Sequence, residues 1–121
     1  MIDHIAVPVR DFAVAAGFYD TVLATLGGKR LMSFDGAAGY GIEQPNFWLE
    51  PLGDRQAQEK HIAFSATNRA AVTAFHDAAV AAGAEVLHAP RLWPEYHPMY
   101  FAVFVRDPDG NNVEAVCHLP E

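Results

Sequence analysis

The chain of 121 residues holds a single cysteine, Cys117, so no internal disulfide can form. That scarcity suits a reducing compartment. Lysine and arginine number 8 against 15 acidic residues, and no basic cluster interrupts a formal net charge of −7. Such a surface repels phosphate backbones and anionic bilayers, which argues against nucleic acid or membrane partners. No apolar run reaches the roughly 20 residues of a membrane span. The amino-terminal stretch MIDHIAVPVRD lacks a basic region followed by a long apolar core, so no signal peptide is expected. Cytoplasmic localisation follows as the expectation. A glycine-rich phosphate loop, a Ser-His-Asp set and paired CxxC motifs are also missing, which removes the chemistries they serve.

What is present is a 51% apolar composition with glycine and proline scattered regularly, as in a single globular domain spanning residues 1–121. An internal repeat organises it. At an offset of 57, HIAVPVRDFAVAAGFYD lies over HIAFSATNRAAVTAFHD, matching His4 to His61, Phe18 to Phe75 and Asp20 to Asp77. Each half opens with a β-compatible run, followed by the helix-capping residue Asp11 or Asn68. Apolar stripes follow at helical spacing: Phe12, Ala16, Tyr19, Leu23, Leu26, and then Ala71, Phe75, Ala78, Ala82. Gly27-Gly28 and Gly83 end the helices. Strands are expected near 30–34, 38–42 and 46–51, and again near 84–88, 99–105 and 112–117, the last preceded by the turn DPDGNN.

The expected fold class is therefore α+β. Two βαβββ modules, about 1–52 and 61–121 around a polar linker at 53–60, would form a curled, cup-shaped mixed sheet with helices on the outer face.

Strand alternation then places the chemistry. Ile5 and Val7, like Ile62 and Phe64, belong under a helix, so His4 and His61 face the open side of the sheet. Glu50 in NFWLEPL and Glu114 in NNVEAV sit mid-strand, Glu114 in phase with Asn112, Val116 and His118, and Glu50 with Trp48. A carboxylate inside a strand is costly to bury unless paired or bound to a cation. Two histidines and two carboxylates at repeat positions make a metal set: His4, His61 and Glu114 as a two-His-one-carboxylate triad, or all four with Glu50. Imidazole and carboxylate suit Ni, Co, Zn, Mn or Fe(II). Glu50 equally fits a solvated strand end before Pro51, and a histidine on a strand taken singly fits an ordinary hydrogen-bonded surface position, an alternative that the pairing with matched carboxylates weakens.

The paired HIA runs, the two βαβββ halves and FVRDPDGNNVEAV at 104–116 resemble the vicinal oxygen chelate superfamily, which includes glyoxalases, bleomycin-resistance proteins and extradiol dioxygenases. The resemblance covers the whole chain. It implies metal ligation by His4, His61, Glu114 and, in the glyoxalase manner, Glu50. It also implies a homodimer whose sites are shared between chains. Two features depart from the larger relatives: Glu50 and His61 are only eleven positions apart, and the chain is short for an extradiol dioxygenase. The chain is more similar to short two-module members carrying FWL and PEYHP.

The His-to-Glu span is 46 residues in the first half and 53 in the second. The excess is placed in APRLWPEYHPMY, residues 89–100, which gathers Trp93, Tyr96, His97 and Tyr100 between stiffening prolines. These residues form either a wall of a small-molecule pocket or a rim packed on its own aromatics. His97 is a candidate general acid or base, and His118 a candidate substrate contact or an exposed terminal residue. His76 and His88 are assigned no role, and Cys117 is expected to pack as a small hydrophobe.

The leading expectation is a metal-dependent isomerase or lyase acting on a small oxygen-chelating substrate. Glu114, Glu50 and His97 would be its proton-moving groups, with Trp48, Trp93, Tyr96, Tyr100 and His118 around the substrate. Ring-cleaving oxygenation ranks lower. The rival is a metal-free binding protein of the bleomycin-resistance type.

Overall fold

In a computed structural model describing residues 1–121, the elements run β1 (Ile5–Val9), α1 (Phe12–Ala24), β2 (Lys29–Phe34), β3 (Ala37–Gly41) and β4 (Phe47–Pro51). The same order repeats as β5 (His61–Ser65), α2 (Arg69–Ala81), β6 (Val86–Leu92), β7 (Phe101–Arg106) and β8 (Asn112–Cys117). Each module forms its own four-stranded sheet, ordered β1-β4-β3-β2 and β5-β8-β7-β6. In each, the first and last strands pair in parallel and the remaining pairs are antiparallel. The α+β reading of two βαβββ modules with curled mixed sheets therefore stands.

Local chemistry sets the helix ends. Asp11 accepts from the Val14 amide at 3.2 Å and Asn68 from the Ala71 amide at 2.8 Å, each satisfying one of the unpaired donors of a first helical turn. Gly27 and Gly83, with φ of +82° and +83°, carry the chain out in the left-handed conformation a side chain resists.

Two boundaries and one helix face differ from the sequence reading. Strand β1 starts at Ile5, whose amide donates to the Asn46 carbonyl, so His4 precedes the ladder. Strand β6 runs on to Leu92, through the stretch read as loop, because Arg91 and Leu92 pair with Ala102 and Phe101. The buried face of α2 is Val72, Phe75 and Ala79, while Ala82 is its exposed C-cap; the helix has rolled about one position from the expected stripe.

Helix α1 buries Ala15, Ala16, Phe18, Tyr19, Val22 and Leu23, a wider face than one stripe, because it packs on its own sheet and on α2. One continuous core of 22 buried residues crosses the module boundary, so neither module closes its core alone. At the junction Phe64 meets Phe47 edge-on at 5.0 Å, and Tyr19 lies 4.9 Å from Phe47. Cys117 is fully buried in this core, as a small hydrophobe would be.

A polar knot ties the junction. The Tyr19 hydroxyl donates to Asp107 Oδ2 at 2.6 Å, across 88 residues of sequence. Asn111 Nδ2 donates to the same oxygen, and the amides of Asp109 and Asn111 both donate to Oδ1 at 2.9 Å. Gly110, at φ +87°, lets the turn close around that carboxylate. Outside the knot, Arg10 reaches Asp109 through its amide and guanidinium, joining the end of β1 to the same turn.

Two outcomes follow. Tyr19→Phe removes one bond to a buried carboxylate and is expected to lower stability by about 1–3 kcal/mol. Asp107→Ala should cost more, since it strands the Tyr19 hydroxyl and two amides; urea denaturation of both variants measures the difference. Burial and the neighbouring Asp107 raise the Tyr19 hydroxyl well above the usual phenol range, and burial and Asp20 raise Tyr40. A raised folded value means stability fully present below the unfolded value of about 10 and lost as pH rises beyond it. Denaturation midpoints should therefore hold steady to about pH 9 and then fall, less steeply in Tyr19→Phe.

Candidate functional site

Strands β5 and β8 run side by side, with His61 opposite Asn112 and Ala63 opposite Glu114. Two register positions thus separate His61 from Glu114, and both side chains rise from the open face. Their reach closes the gap: His61 Nε2–H donates to Glu114 Oε2 at 2.8 Å. Glu114 is 1% exposed and is the largest buried charged group in the chain. Its other oxygen accepts the Tyr100 hydroxyl. Burial first, and then the Glu114 bond, push the Tyr100 phenol above its usual range. It is therefore a neutral donor to the Glu114 carboxylate. The imidazole edge of His61 stays half-open to solvent.

The first module does not repeat this pair. Strand β1 against β4 sets Ile5 opposite Phe47, Ala6 opposite Trp48, and Pro8 opposite Glu50. Since Ala6 corresponds to Ala63, the counterpart of Glu114 is Trp48, not Glu50. Glu50 lies two positions farther along, where it pairs with Arg55 at 2.9 Å at the strand end. That ion pair anchors the linker, because Arg55 also donates to the Leu52 and Pro51 carbonyls. His4 is exposed and bonded to Asp3 at 2.6 Å. It borders a hollow of about 460 Å³ lined by Ile2, Asp3, Gln44, Pro45, Asn46 and Trp48, all of the first module. Gln44 and Asn46 carried no sequence signal for this position, which arises from the turn preceding β4.

The loop after β6 folds back over the second module's open face. Trp93 is buried in a small core with Ala102, Phe104 and Val116, its indole N–H donating to the Ala102 carbonyl at 3.2 Å. His88 wedges edge-on against Trp93 and Phe104, so that histidine, assigned no role, completes the packing. Tyr96 stacks on Trp93 from the exposed side, and the Arg91 guanidinium lies 3.4 Å from the Trp93 ring centroid. His97 and His118 meet: Nδ1 of His97 accepts from the Met99 amide, so its Nε2–H is the donor to His118 Nδ1 at 2.8 Å. Tyr100 stands edge-on to both imidazoles. The structure thus gathers His61, Glu114, Tyr100, His97 and His118 on the second module. Trp48, Glu50 and His4 are left on the first, and Trp93 sits beneath the loop.

A larger cleft of about 710 Å³ opens at the module junction between Ile5, Leu23, Phe47, Ile62 and Phe64. It lies on the helix side of the strands, and none of the candidate site residues lines it.

For a divalent metal, His61 and Glu114 supply a nitrogen and a carboxylate oxygen already in contact, a donor combination suited to first-row ions. No third His, Cys, Asp or Glu of the same chain converges on them. The second module therefore fits a metal as half of a ligand set, and His4, exposed and bonded through Nδ1 to Asp3, is the one imidazole of the first module.

The fold is widely shared. A glyoxalase/bleomycin resistance protein from Albidiferax ferrireducens T118 superposes with a TM-score of 0.82 at 26% identity, covering 95% of this chain and 97% of that one. A lactoylglutathione lyase from Agrobacterium tumefaciens superposes at 0.71 with 23% identity, covering 97% and 92%. A fosfomycin resistance protein from Mesorhizobium loti gives 0.71 at 16%, covering 97% and 91%. The search of curated proteins found no match. The model of the Glyoxalase/Bleomycin resistance protein/Dioxygenase superfamily matches residues 1–115, and the chain belongs to that superfamily.

Proposed function

We propose that the protein is a metal-dependent enzyme of the isomerase or lyase type, acting on a small substrate that offers vicinal oxygens. The observation that carries this reading is the buried Glu114 carboxylate held 2.8 Å from a half-open imidazole, His61. His61, Glu114 and a His4 contributed by a second copy would hold the ion. The His4 hollow has no second-module wall, so this chain alone does not bring the three together. A bound ion supplies Lewis-acid stabilisation of negative charge developing on a substrate oxygen.

The chain's own residues do the rest. Tyr100 fixes the Glu114 carboxylate by donating to one oxygen, leaving the other aimed at His61. That restraint fixes ligand geometry before substrate arrives. His97, with its tautomer set by the Met99 amide, presents a hydrogen-bonded imidazole pair with His118 on the same side of the sheet. The pair is a candidate to move a proton at the site's outer end. Glu50, engaged with Arg55 away from His4, is left out of the ligand set.

A second reading draws support from Trp48. An aromatic ring at the register position of Glu114 gives the cup an apolar half, which suits sequestration of a ligand without catalysis, as in bleomycin-resistance-type proteins.

Metal analysis of untagged protein purified without chelators decides between the two. The enzyme reading expects a stoichiometric divalent ion that is lost in His61→Ala and Glu114→Gln and retained in Glu50→Gln. Metal-free protein that still binds ligand after those substitutions would leave the sequestering reading standing. Tyr100→Phe is expected to weaken metal affinity by about 10–100-fold while leaving the fold intact, as read by calorimetric titration and circular dichroism.

A further inference from the structure

The two modules pair their open faces in opposite ways. In the second, Glu114 stands opposite Phe104 across β8 and β7; in the first, Trp48 stands opposite Gly39 across β4 and β3. A Cβ on Gly39 would fall 2.7 Å from the Trp48 ring, so the indole lies flat on bare backbone. Its N–H is turned inward to the Pro45 carbonyl at 3.0 Å, and Phe34 lies nearly parallel at 14°, with centroids 6.1 Å apart. The ring is therefore held rigidly, its one donor is spent, and what it can offer the adjoining hollow is π-surface. Asp3, His4, Gln44 and Asn46 supply the polar rim of that hollow.

We infer that Trp48 is a specificity-determining residue and that the hollow beside His4 takes a planar, conjugated, non-anionic ring stacked on its indole. The inference rests on the small-molecule reading of the cup and narrows the substrate class within it. Two observations support a flat ring over an aliphatic chain: a fixed indole and a glycine that clears the space for it. Offset stacking rewards planarity beyond the area it buries. An acidic chain with Asp3 at the rim disfavours an anionic ring at that spot.

The test follows the indole N–H signal of Trp48 by NMR, assigned with the help of Trp93→Phe, during titration with benzamide or cyclohexanecarboxamide. Benzamide should move the Trp48 signal saturably, and its saturated analogue should bind about three- to tenfold more weakly. Trp48→Leu should erase that preference and Trp48→Phe should keep most of it, both read from the ligand's own signals. Equal binding of the two amides, no binding of benzamide, or a preference that survives in Trp48→Leu overturns the inference. Metal content of the same samples is scored separately. An intact ring preference in metal-free protein sinks the metal-dependent reading and leaves this one in place.

Discussion

The carboxylate of Asp107 is buried in the turn between β7 and β8, and it receives the Tyr19 hydroxyl, the Asn111 side chain and two backbone amides. A buried charge without such partners would be strongly destabilising, so the turn, the helix and the charge hold each other in place. The consequence reaches the site. Asn111 also accepts the Lys60 amide at 2.9 Å, and the Asn112 amide donates to the Lys60 carbonyl at 2.8 Å. Lys60 is thereby locked against the start of β8, which fixes His61 opposite Asn112 and brings His61 to Glu114. A motif that looks like turn chemistry is the clamp that aligns the candidate ligands.

Duplication explains the architecture, and divergence explains the site. Both modules keep the capped helix, the glycine exit and the parallel pairing of first and last strands. At the centre of the open face they part, with glutamate and phenylalanine in one and tryptophan and glycine in the other. In the first module the indole of Trp48 fills the space that Gly39 leaves, and in the second Phe104 and Glu114 fill it together, so either arrangement is compatible with packing. Packing did not force the difference, which makes the two centres the place where ligand chemistry was free to vary.

The second module's loop shows the same economy of roles. Trp93 is spent on the small core that pins the loop to the sheet, and His88 and Arg91 pack around its ring. With its root fixed, the loop holds Tyr100 against Glu114 and His97 against His118. Structural and chemical residues alternate within twelve positions, and composition alone does not separate them. No helix of the chain is long and apolar enough to cross a membrane.

The repeat, the helix caps at Asp11 and Asn68 and the glycine exits were legible in the sequence. Each depends on local periodicity or on the backbone preference of one residue. The buried face of α2, the length of β6 and the place of Glu50 were not. The last is the telling case: NFWLEPL and NNVEAV look alike as strings, yet β4 sits two positions out of step with β8 relative to its partner strand. Strand alternation tells which residues share a face, and it put Glu50 in phase with Trp48. Which of them stands beside a histidine depends on register, and register is set by bonds between residues some fifty positions apart. The sequence by itself determined the modules and their faces; only tertiary pairing decided that one face centres on a carboxylate and the other on an indole.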